Sequence, residues 1–468
     1  MKRNLFFLLG IIVFALSGCT LAPEYTKPAS PVPAQWPTGA AYSETKIAAP
    51  APAVKDIPWR NFFTDERLQK IIETALHNNR DLRVSALNVE RARALYGIAR
   101  AELLPAVSAV GSVSKTLVPA DLSTTGSAVT TSQYSVNLGI LSWEIDFFGR
   151  IRSLKDQALE QYLATEDARR SAQISLVSSV AQAYLSLAAD RDTLKLAAST
   201  LETQETSYKL IRRRYEAGIA SELDLRQAQS QVEAAKVDIA RYTQLTAQDE
   251  NALSLLMGSS LPPELLPSDL NSVSPPKDIS AGLSSEVLLR RPDILAAEHQ
   301  LKAANANIGA ARAAFFPNIS LTTTVGTTSA ELSGLFKAGQ GTWSFAPQII
   351  MPIFDARTWS AYDVTKVEKE VSVAQYEKAI QTAFREVSDA LAVRGTLNQQ
   401  IAAQQSLVEA VAQTYRLSDA RYTKGIDSYL GVLDAQRSFY GVQQGLIVLR
   451  LASLVNQVTL YMALGGGE

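Results

Sequence analysis

Residues 214–229 read RYEAGIASELDLRQAQ, and residues 421–436 read RYTKGIDSYLGVLDAQ. Arg214, Tyr215, Gly218, Ile219, Ser221, Leu223, Ala228 and Gln229 recur as Arg421, Tyr422, Gly425, Ile426, Ser428, Leu430, Ala435 and Gln436. The offset is constant (425 − 218 = 207). An insertion-free match within one chain marks an internal duplication. A long unit used twice suggests a wall or a tube more than a single catalytic cleft. Gly218 and Gly425 fall where a helix should stop, because glycine is favoured just past a helix end. Ser221 and Ser428 suit the start of the next helix. Each copy therefore reads as a helix–turn–helix tip.

The stretches leading into the tips are long and helical, over 152–217 and 361–424. Leu187, Leu194, Leu201, Tyr208 and Tyr215 fall seven apart, as do Ile401, Val408, Tyr415 and Tyr422. A sustained seven-residue repeat implies packed helices with a left-handed supercoil. Some 60 residues of helix span on the order of 90–100 Å.

Further upstream, each half has a helical lead, over 68–102 and 284–314. Each lead ends at a proline, Pro105 or Pro317, which cannot continue the hydrogen-bond ladder. Here the offset is 212 (317 − 105), so about five residues of length change separate the two matched regions. After each proline the period falls from about 3.6 to 2. Ile319, Leu321, Thr323 and Val325 alternate with Asn318, Ser320, Thr322 and Thr324. Tyr134, Val136, Leu138 and Ile140 alternate with Gln133, Ser135, Asn137 and Gly139. Residues 107–115 and 343–349 alternate less cleanly. Four strands are expected, two per half, each of roughly ten residues.

One apolar face and one small, polar face fit a transmembrane β-barrel strand. On alternation alone a soluble sandwich with one wet face is the favoured reading. Trp143, Trp343, Phe345 and Tyr134 would supply an interfacial aromatic girdle in the first case. Four strands close no barrel, and an open edge cannot sit in lipid. Membranous strands would have to be pooled, two copies giving about eight and three about twelve.

The 468 residues carry a formal net charge of −1, which gives no nucleic-acid footprint. The longest apolar run, 5–16, follows Lys2 and Arg3 and precedes Leu16-Ser17-Gly18-Cys19. A basic start, a short apolar core and small residues make a secretory signal. Cys19 is the only cysteine, so no intrachain disulfide can form. Its setting matches the bacterial lipobox, which implies cleavage before Cys19 and a covalent lipid on it. The alternative is a chance cysteine after an ordinary signal. Thr20 follows, and the absence of Asp there favours outer-membrane sorting. The lipobox and the repeat together favour the membrane barrel over the sandwich.

The expected organisation is a signal peptide over 1–18 and a Pro-rich lipidated segment over 19–60. A first repeat over 61–260, a Pro-rich linker over 261–280 and a second repeat over 281–468 follow. No cofactor beyond the lipid on Cys19 is expected. His77 and His299 have no HExxH, CxxC or Ser-His-Asp context, so neither an enzyme nor a metal site is expected. The four methionines form no copper or silver track, which argues against a metal-efflux specialisation. The chain has no phosphate loop, so energy would come from a partner.

This order of elements resembles the TolC-type outer-membrane factors, and most closely the OprM-like lipoprotein branch that serves resistance-nodulation-division (RND) multidrug pumps. The resemblance rests on several stretches. They are Trp59-Arg60-Asn61-Phe62-Phe63, Asn78-Asn79-Arg80-Asp81-Leu82-Arg83, Trp143-Glu144-Ile145-Asp146-Phe147-Phe148-Gly149-Arg150 and Arg291-Pro292-Asp293-Ile294. Residues 310–317 (AARAAFFP), 433–438 (LDAQRS) and 461–467 (YMALGGG) complete the set.

The resemblance implies an α+β membrane protein and a homotrimer. A twelve-stranded outer-membrane barrel, four strands per chain, would continue into a twelve-helix periplasmic tunnel. It implies a passive exit duct for drugs and small toxic molecules, docked to a periplasmic membrane-fusion adaptor and an inner-membrane RND transporter. Outer-membrane lipid would surround it. Asp434 would form a carboxylate ring at the tunnel constriction, with Leu430 an apolar ring beside it. Some relatives carry a second Asp three residues earlier, but that position is Gly431 here. Tyr422, Asp224 and Arg437 would tie neighbouring tip helices together in a closed iris. Read without the family, Asp434 and Arg437 are solvated helix charges and Tyr422 is core packing. A protein-secretion duct and a structural coiled-coil lipoprotein are the rival readings.

Overall fold

The computed structural model describes residues 20–42, 54, 57–279 and 284–467. Cys19 and the expected signal segment lie outside the described residues.

The first half comprises α1 (Glu66–Asn78), α2 (Arg80–Ala101), β1 (Val107–Val118), β2 (Val129–Glu144), α3 (Arg150–Glu216) and α4 (Glu222–Met257). The second half comprises α5 (Pro292–Ala313), β3 (Asn318–Ser329), β4 (Gly341–Ile350), α6 (Ala356–Thr423) and α7 (Tyr429–Ala463). All four expected strands form, each longer than or equal to its alternating stretch. The two long helices run 67 and 68 residues, about 100 Å each.

Two compact units divide the chain. The first holds residues up to Ala29, Asn88–Glu166 and Ala296–Tyr376, and contains the whole sheet. The second holds Ser30–Leu87, Asp167–Leu295 and Glu377–Glu468, and contains both tips.

In the first unit the strands form one antiparallel sheet in the order β1-β2-β3-β4. Its register carries the alternation across every strand. Ala109 faces Leu138, Leu138 faces Val325, and Val325 faces Trp343. These share one face, because partners across a ladder point the same way. The next row is Val110, Asn137, Gly326 and Thr342 on the opposite face. Serines also meet there, Ser112 Oγ lying 2.7 Å from Ser135 Oγ.

The apolar face is open. Val113, Leu138, Val325, Trp343, Phe345 and Ile349 are each more than half exposed. A soluble sandwich would bury that face against a second sheet, and all four strands lie in one. Trp343 and Phe345 of the expected girdle are exposed, whereas Trp143 is half-buried beside the register shift between Ile140 and Trp143.

The helix-to-strand junctions repeat. Leu104 N–H donates to Ala101 O at 2.9 Å before Pro105, and Phe316 N–H donates to Ala313 O at 3.0 Å before Pro317. Each is a last tight turn closed by the proline. The return from β2 into α3 uses Trp143–Arg150. Asp146 accepts from Ile151 N–H at 3.1 Å and Arg152 N–H at 2.9 Å, capping the helix. Its carboxylate also pairs with Arg152 Nε at 3.0 Å, and Glu144 pairs with Arg150 at 2.7 Å. Phe148 stacks on Phe316 at 4.8 Å.

The stretch 68–102 is not one helix, as its sequence suggested. It breaks at buried Asn79, whose Nδ2 donates to Leu256 O at 2.9 Å. Its Oδ1 accepts from Leu82 N–H at 2.9 Å and so restarts the chain as α2. Likewise 284–290 is a 3₁₀ turn (Ser285–Arg290), and Pro292 opens α5 at the first helical position.

The Pro-rich segment contains only a short 3₁₀ turn, Ala40–Tyr42, between residues 20 and 42. In the first unit it is tied down by Asn305 Nδ2 to Pro23 O at 2.7 Å and by Lys27 to Glu298 at 2.7 Å. Thr20 Oγ1 lies 3.1 Å from Ser153 Oγ, in the first turn of α3.

The second unit has its own core. Phe62 stacks on Tyr461 at 3.9 Å, and both are buried with Phe63, Ile71 and Ile72. Mostly covered Arg291, its side chain 11% exposed, donates to Ala463 O at 2.7 Å and pairs with Asp293 at 2.8 Å and Glu386 at 3.0 Å. The heptad stripe of α3 is fully buried at Leu187, half-buried at Leu194, Leu201 and Tyr208, and exposed at Tyr215. Packing thus thins toward the tip.

Candidate functional site: the paired helix tips

Both tips end their long helix in the same way. Gly218 N–H donates to Tyr215 O at 2.9 Å and Ile219 N–H to Arg214 O at 2.8 Å. Gly425 N–H donates to Tyr422 O at 2.9 Å and Ile426 N–H to Arg421 O at 3.0 Å. These are matched Schellman motifs, which satisfy carbonyls that a helix end leaves orphaned. The motif needs a left-handed residue, and the glycines supply it with φ of +71° and +72°. The repeated Arg-Tyr-x-x-Gly-Ile is therefore a stop signal written twice.

The restarts differ. Ser221 caps α4 and forms a full capping box with Asp224. Ser221 Oγ accepts from Asp224 N–H at 3.1 Å, and the Asp224 carboxylate accepts from Ser221 N–H at 3.1 Å. Ser428 has the same extended backbone but makes no side-chain cap bond. The residue that would complete a box there is Gly431, which has no side chain. The second tip is braced by Arg421, whose Nε lies 2.5 Å from Asp427 Oδ2. That guanidinium holds the Asp427 carboxyl below the usual carboxylate range. Ala220 stands at the matching position of the first tip, so this brace has no twin.

The two tips pack on each other within one chain. Ile211, Ala228, Tyr429, Val432 and Leu433 form a buried cluster, with Tyr208, Leu225, Tyr415 and Tyr422 around it. Tyr422 lies 5.2 Å from the Tyr429 ring, and the Arg214 guanidinium sits 5.0 Å over Tyr422. Burial, and then Tyr422, push the Tyr429 hydroxyl up to about 12. Gln436 Nε2 donates to Tyr415 Oη at 2.9 Å, and Arg437 Nε donates to Gln231 Oε1 at 3.1 Å.

The residues singled out from sequence therefore fall into three groups. Tyr422 sits in the inter-tip cluster, and Arg437 bridges the tips from their surface. Asp434 and Leu430 are exposed on α7, and Asp434 Oδ1 lies 4.0 Å from Arg437 Nη1. Asp224 is occupied by its own helix cap. Sequence reading missed the Arg421–Asp427 brace, although Asp427 six residues after a repeated arginine was the available signal. It also missed Gln231, which nothing in the sequence marks.

Elsewhere, His299 Nδ1 lies 2.6 Å from Glu160 Oε2, while His77 is exposed. Among the described residues no group of three or more His, Cys, Asp or Glu is placed to hold a metal ion.

A duplicated chain with a one-sided apolar sheet and long paired helical hairpins defines a class of envelope proteins. This chain belongs to the outer membrane efflux protein family, whose profile matches residues 71–259 and 283–466. It is 53% identical over 463 residues to the antibiotic efflux pump outer membrane protein ArpC of Pseudomonas putida, covering 98% of this chain and 95% of that one. It is equally similar, with the same coverage, to the toluene efflux pump outer membrane protein TtgC of a second Pseudomonas putida strain, at 53% identity. Its fold matches the open state of the MtrE outer membrane channel of Neisseria gonorrhoeae with a TM-score of 0.84, at 39% identity. That match covers 96% of this chain and 98% of the channel chain. The protein is an outer-membrane efflux component.

Proposed function

We propose that three copies of this chain form a passive exit duct, a twelve-stranded barrel continued by twelve periplasmic helices. The observation that carries this reading is the sheet. Its apolar face is open, its other face is polar, and its outer strands β1 and β4 have unpaired edges. Pairing β4 of one copy with β1 of the next is a head-to-tail contact, which closes into a ring. Closure removes the edges and turns the apolar face to lipid and the polar face to a water-filled bore.

The hairpins would reach a periplasmic adaptor, through it an inner-membrane RND transporter, and so receive antibiotics and other small toxic compounds. Thr20, held beside the start of α3, supports a lipid on neighbouring Cys19 as an anchor at the membrane end. The tips would act as an iris. Asp434 would form a carboxylate ring and Leu430 an apolar ring. Tyr422, Arg437 and Asp224 would hold the tip helices closed, and Gly218 and Gly425 would fix the turns. A ring of carboxylates favours cations in a pore.

Three measurements test this. The purified protein should conduct ions in planar bilayers, and silence there would leave only a structural coiled-coil lipoprotein. Deleting the gene should sensitise cells to small drugs while protein secretion continues, and the reverse pattern would mark a secretion duct. A tagged adaptor should co-purify with the chain.

A further inference from the structure

Residues 20–23 lie in the groove between α3 and α5. Asn305 Nδ2 donates to Pro23 O at 2.7 Å, Arg312 Nη1 donates to Leu21 O at 3.1 Å, and Thr20 Oγ1 lies 3.1 Å from Ser153 Oγ. Ala22 passes over Gly309, where an added Cβ would meet Ala22 N at 2.7 Å and Ser153 Oγ at 2.5 Å. A side chain at 309 would therefore close the groove. The partners on α5 advance from 305 through 309 to 312 as the segment counts down from 23 to 21. Traced toward its N-terminus, the segment heads along α5 for the sheet.

A cavity of about 290 Å³ lies next on that line, at the low end of small-ligand sites. Its lining includes Ala313 of α5 and Arg150 of α3, each about one helical turn closer to the sheet than Gly309 and Ser153. Ile145, Phe148, Phe316, Ile319 and Ile350 give it apolar walls. Phe147 also lines it and stays half exposed, so the apolar wall continues to the surface. The carboxylates beside it are matched within the chain, Glu144 by Arg150 at 2.7 Å and Asp146 by Arg152 at 3.0 Å. What the cavity offers a ligand is therefore its apolar wall, which suits a hydrocarbon better than a charged headgroup. We infer that it seats part of one acyl chain of a lipid on Cys19. Cys19 is one Cα step, about 3.8 Å, beyond Thr20. The groove aims the lipidated end at the cavity, one chain enters it, and the remaining chains are left for the membrane leaflet. The tether is thereby fixed at the helix-to-sheet junction. This seat rests on the lipid proposed above for Cys19.

Cys19 is the only native cysteine, so an engineered thiol reports alone once Cys19 is lipidated or replaced. Ala314 lines the cavity and is exposed, so Ala314→Cys puts a reporter in the wall without disturbing the core. The substitution is made in the lipidated protein and, in parallel, with Cys19→Ala behind an ordinary cleavable signal. In isolated outer membranes a maleimide should alkylate the thiol about tenfold more slowly in the lipidated form, because burying about two methylenes already favours the filled cavity to that extent. Val237→Cys, exposed on α4, should react alike in both forms. Intact-mass spectrometry records the lipid. A lipidated chain with equal rates at the cavity overturns the seat and leaves the lipid on Cys19 standing, while an unlipidated chain overturns both. Adding Gly309→Leu, which displaces Ala22, should restore fast alkylation in the lipidated form. Shielding that persists there would assign the cavity to a free phospholipid and overturn the seat.

Discussion

Arg437 reaches Gln231 across the two halves of the chain, Nε to Oε1 at 3.1 Å, and so ties the second tip to the first. Asp434 stands one turn before it on the same helix, 4.0 Å from its Nη1. On the proposed gating role, replacing either Asp434 or Arg437 by alanine should loosen the tip and raise single-channel conductance in planar bilayers. Unchanged conductance in both variants would remove these residues from the gate.

The two serine caps should differ in weight. Ser221→Ala removes the bond that Asp224 N–H donates to Ser221 Oγ, leaves the Ser221 N–H bond to the Asp224 carboxylate, and should cost about 1 kcal/mol of local stability. Ser428→Ala removes no cap bond and should cost a few tenths at most. Amide exchange at the first turns of α4 and α7 measures this, and equal protection loss at both tips contradicts it.

Glycine at the stop is required by its backbone and not by crowding, since a Cβ at Gly218 or Gly425 meets nothing within 4 Å. Gly425→Ala should therefore cost about 1–2 kcal/mol of conformational strain alone. Gly97 lies within α2 with equal free space and no positive φ. Gly97→Ala should be neutral or stabilising. Thermal melts of helical circular dichroism compare the two.

These contrasts mark how far the sequence could be read. The stops were legible because a left-handed turn demands glycine, and the strands because one face of each had to be apolar. Asn79 looked like any polar residue in a helix. Its partner, Leu256 O, is 177 positions away in sequence, and only folding brings it near. The gate residues were placed on family likeness, yet Asp224 proved to be engaged by its own helix cap. That bond follows the S-x-x-D spacing of 221–224, which the capping rule would have revealed.

Acidification should stabilise the first hairpin. Asp190 and Asp249 share a hydrogen bond between α3 and α4, and burial followed by the Asp190 charge pushes Asp249 up to about 6. Burial raises Asp190 as well, against the hydrogen bond with Asp249 and the Arg241 charge, which draw its carboxyl back toward ionisation. At Asp249 the folded chain therefore binds more protons than the unfolded one between about pH 4 and 6. This contribution is fully present below about pH 4 and is lost as pH rises through 6. Asp249→Asn keeps the hydrogen bond without the titration. The variant should melt higher than wild type at pH 7, and that gap should narrow on acidification and close only below about pH 4. A gap that widens on acidification would reverse the assignment.

Arg291 should resist substitution more than any surface charge. It holds a helix-end carbonyl and two carboxylates from one mostly covered position. Arg291→Met leaves Ala463 O without its donor and the partly solvated Asp293 and Glu386 without their cation, and should cost about 1–3 kcal/mol, the scale of an acceptor left unsatisfied. Lysine there should rescue only part of the loss, because it lacks the planar fork. Thermal unfolding in detergent reads both.

The matched Schellman stops carry a consequence for how this lineage can change. α3 and α6 run 67 and 68 residues to the same signal, and α4 and α7 return over 36 and 35. Seven residues added to one long helix would push its end about 10 Å past its twin. Arg437 would then lose Gln231, and the shared tyrosine cluster would come apart. Any change of reach must therefore be made four times, out and back in both halves. The duplication that built the chain also fixed its span, so adaptation to envelopes of different depth falls more readily to the partners proposed to meet its tips.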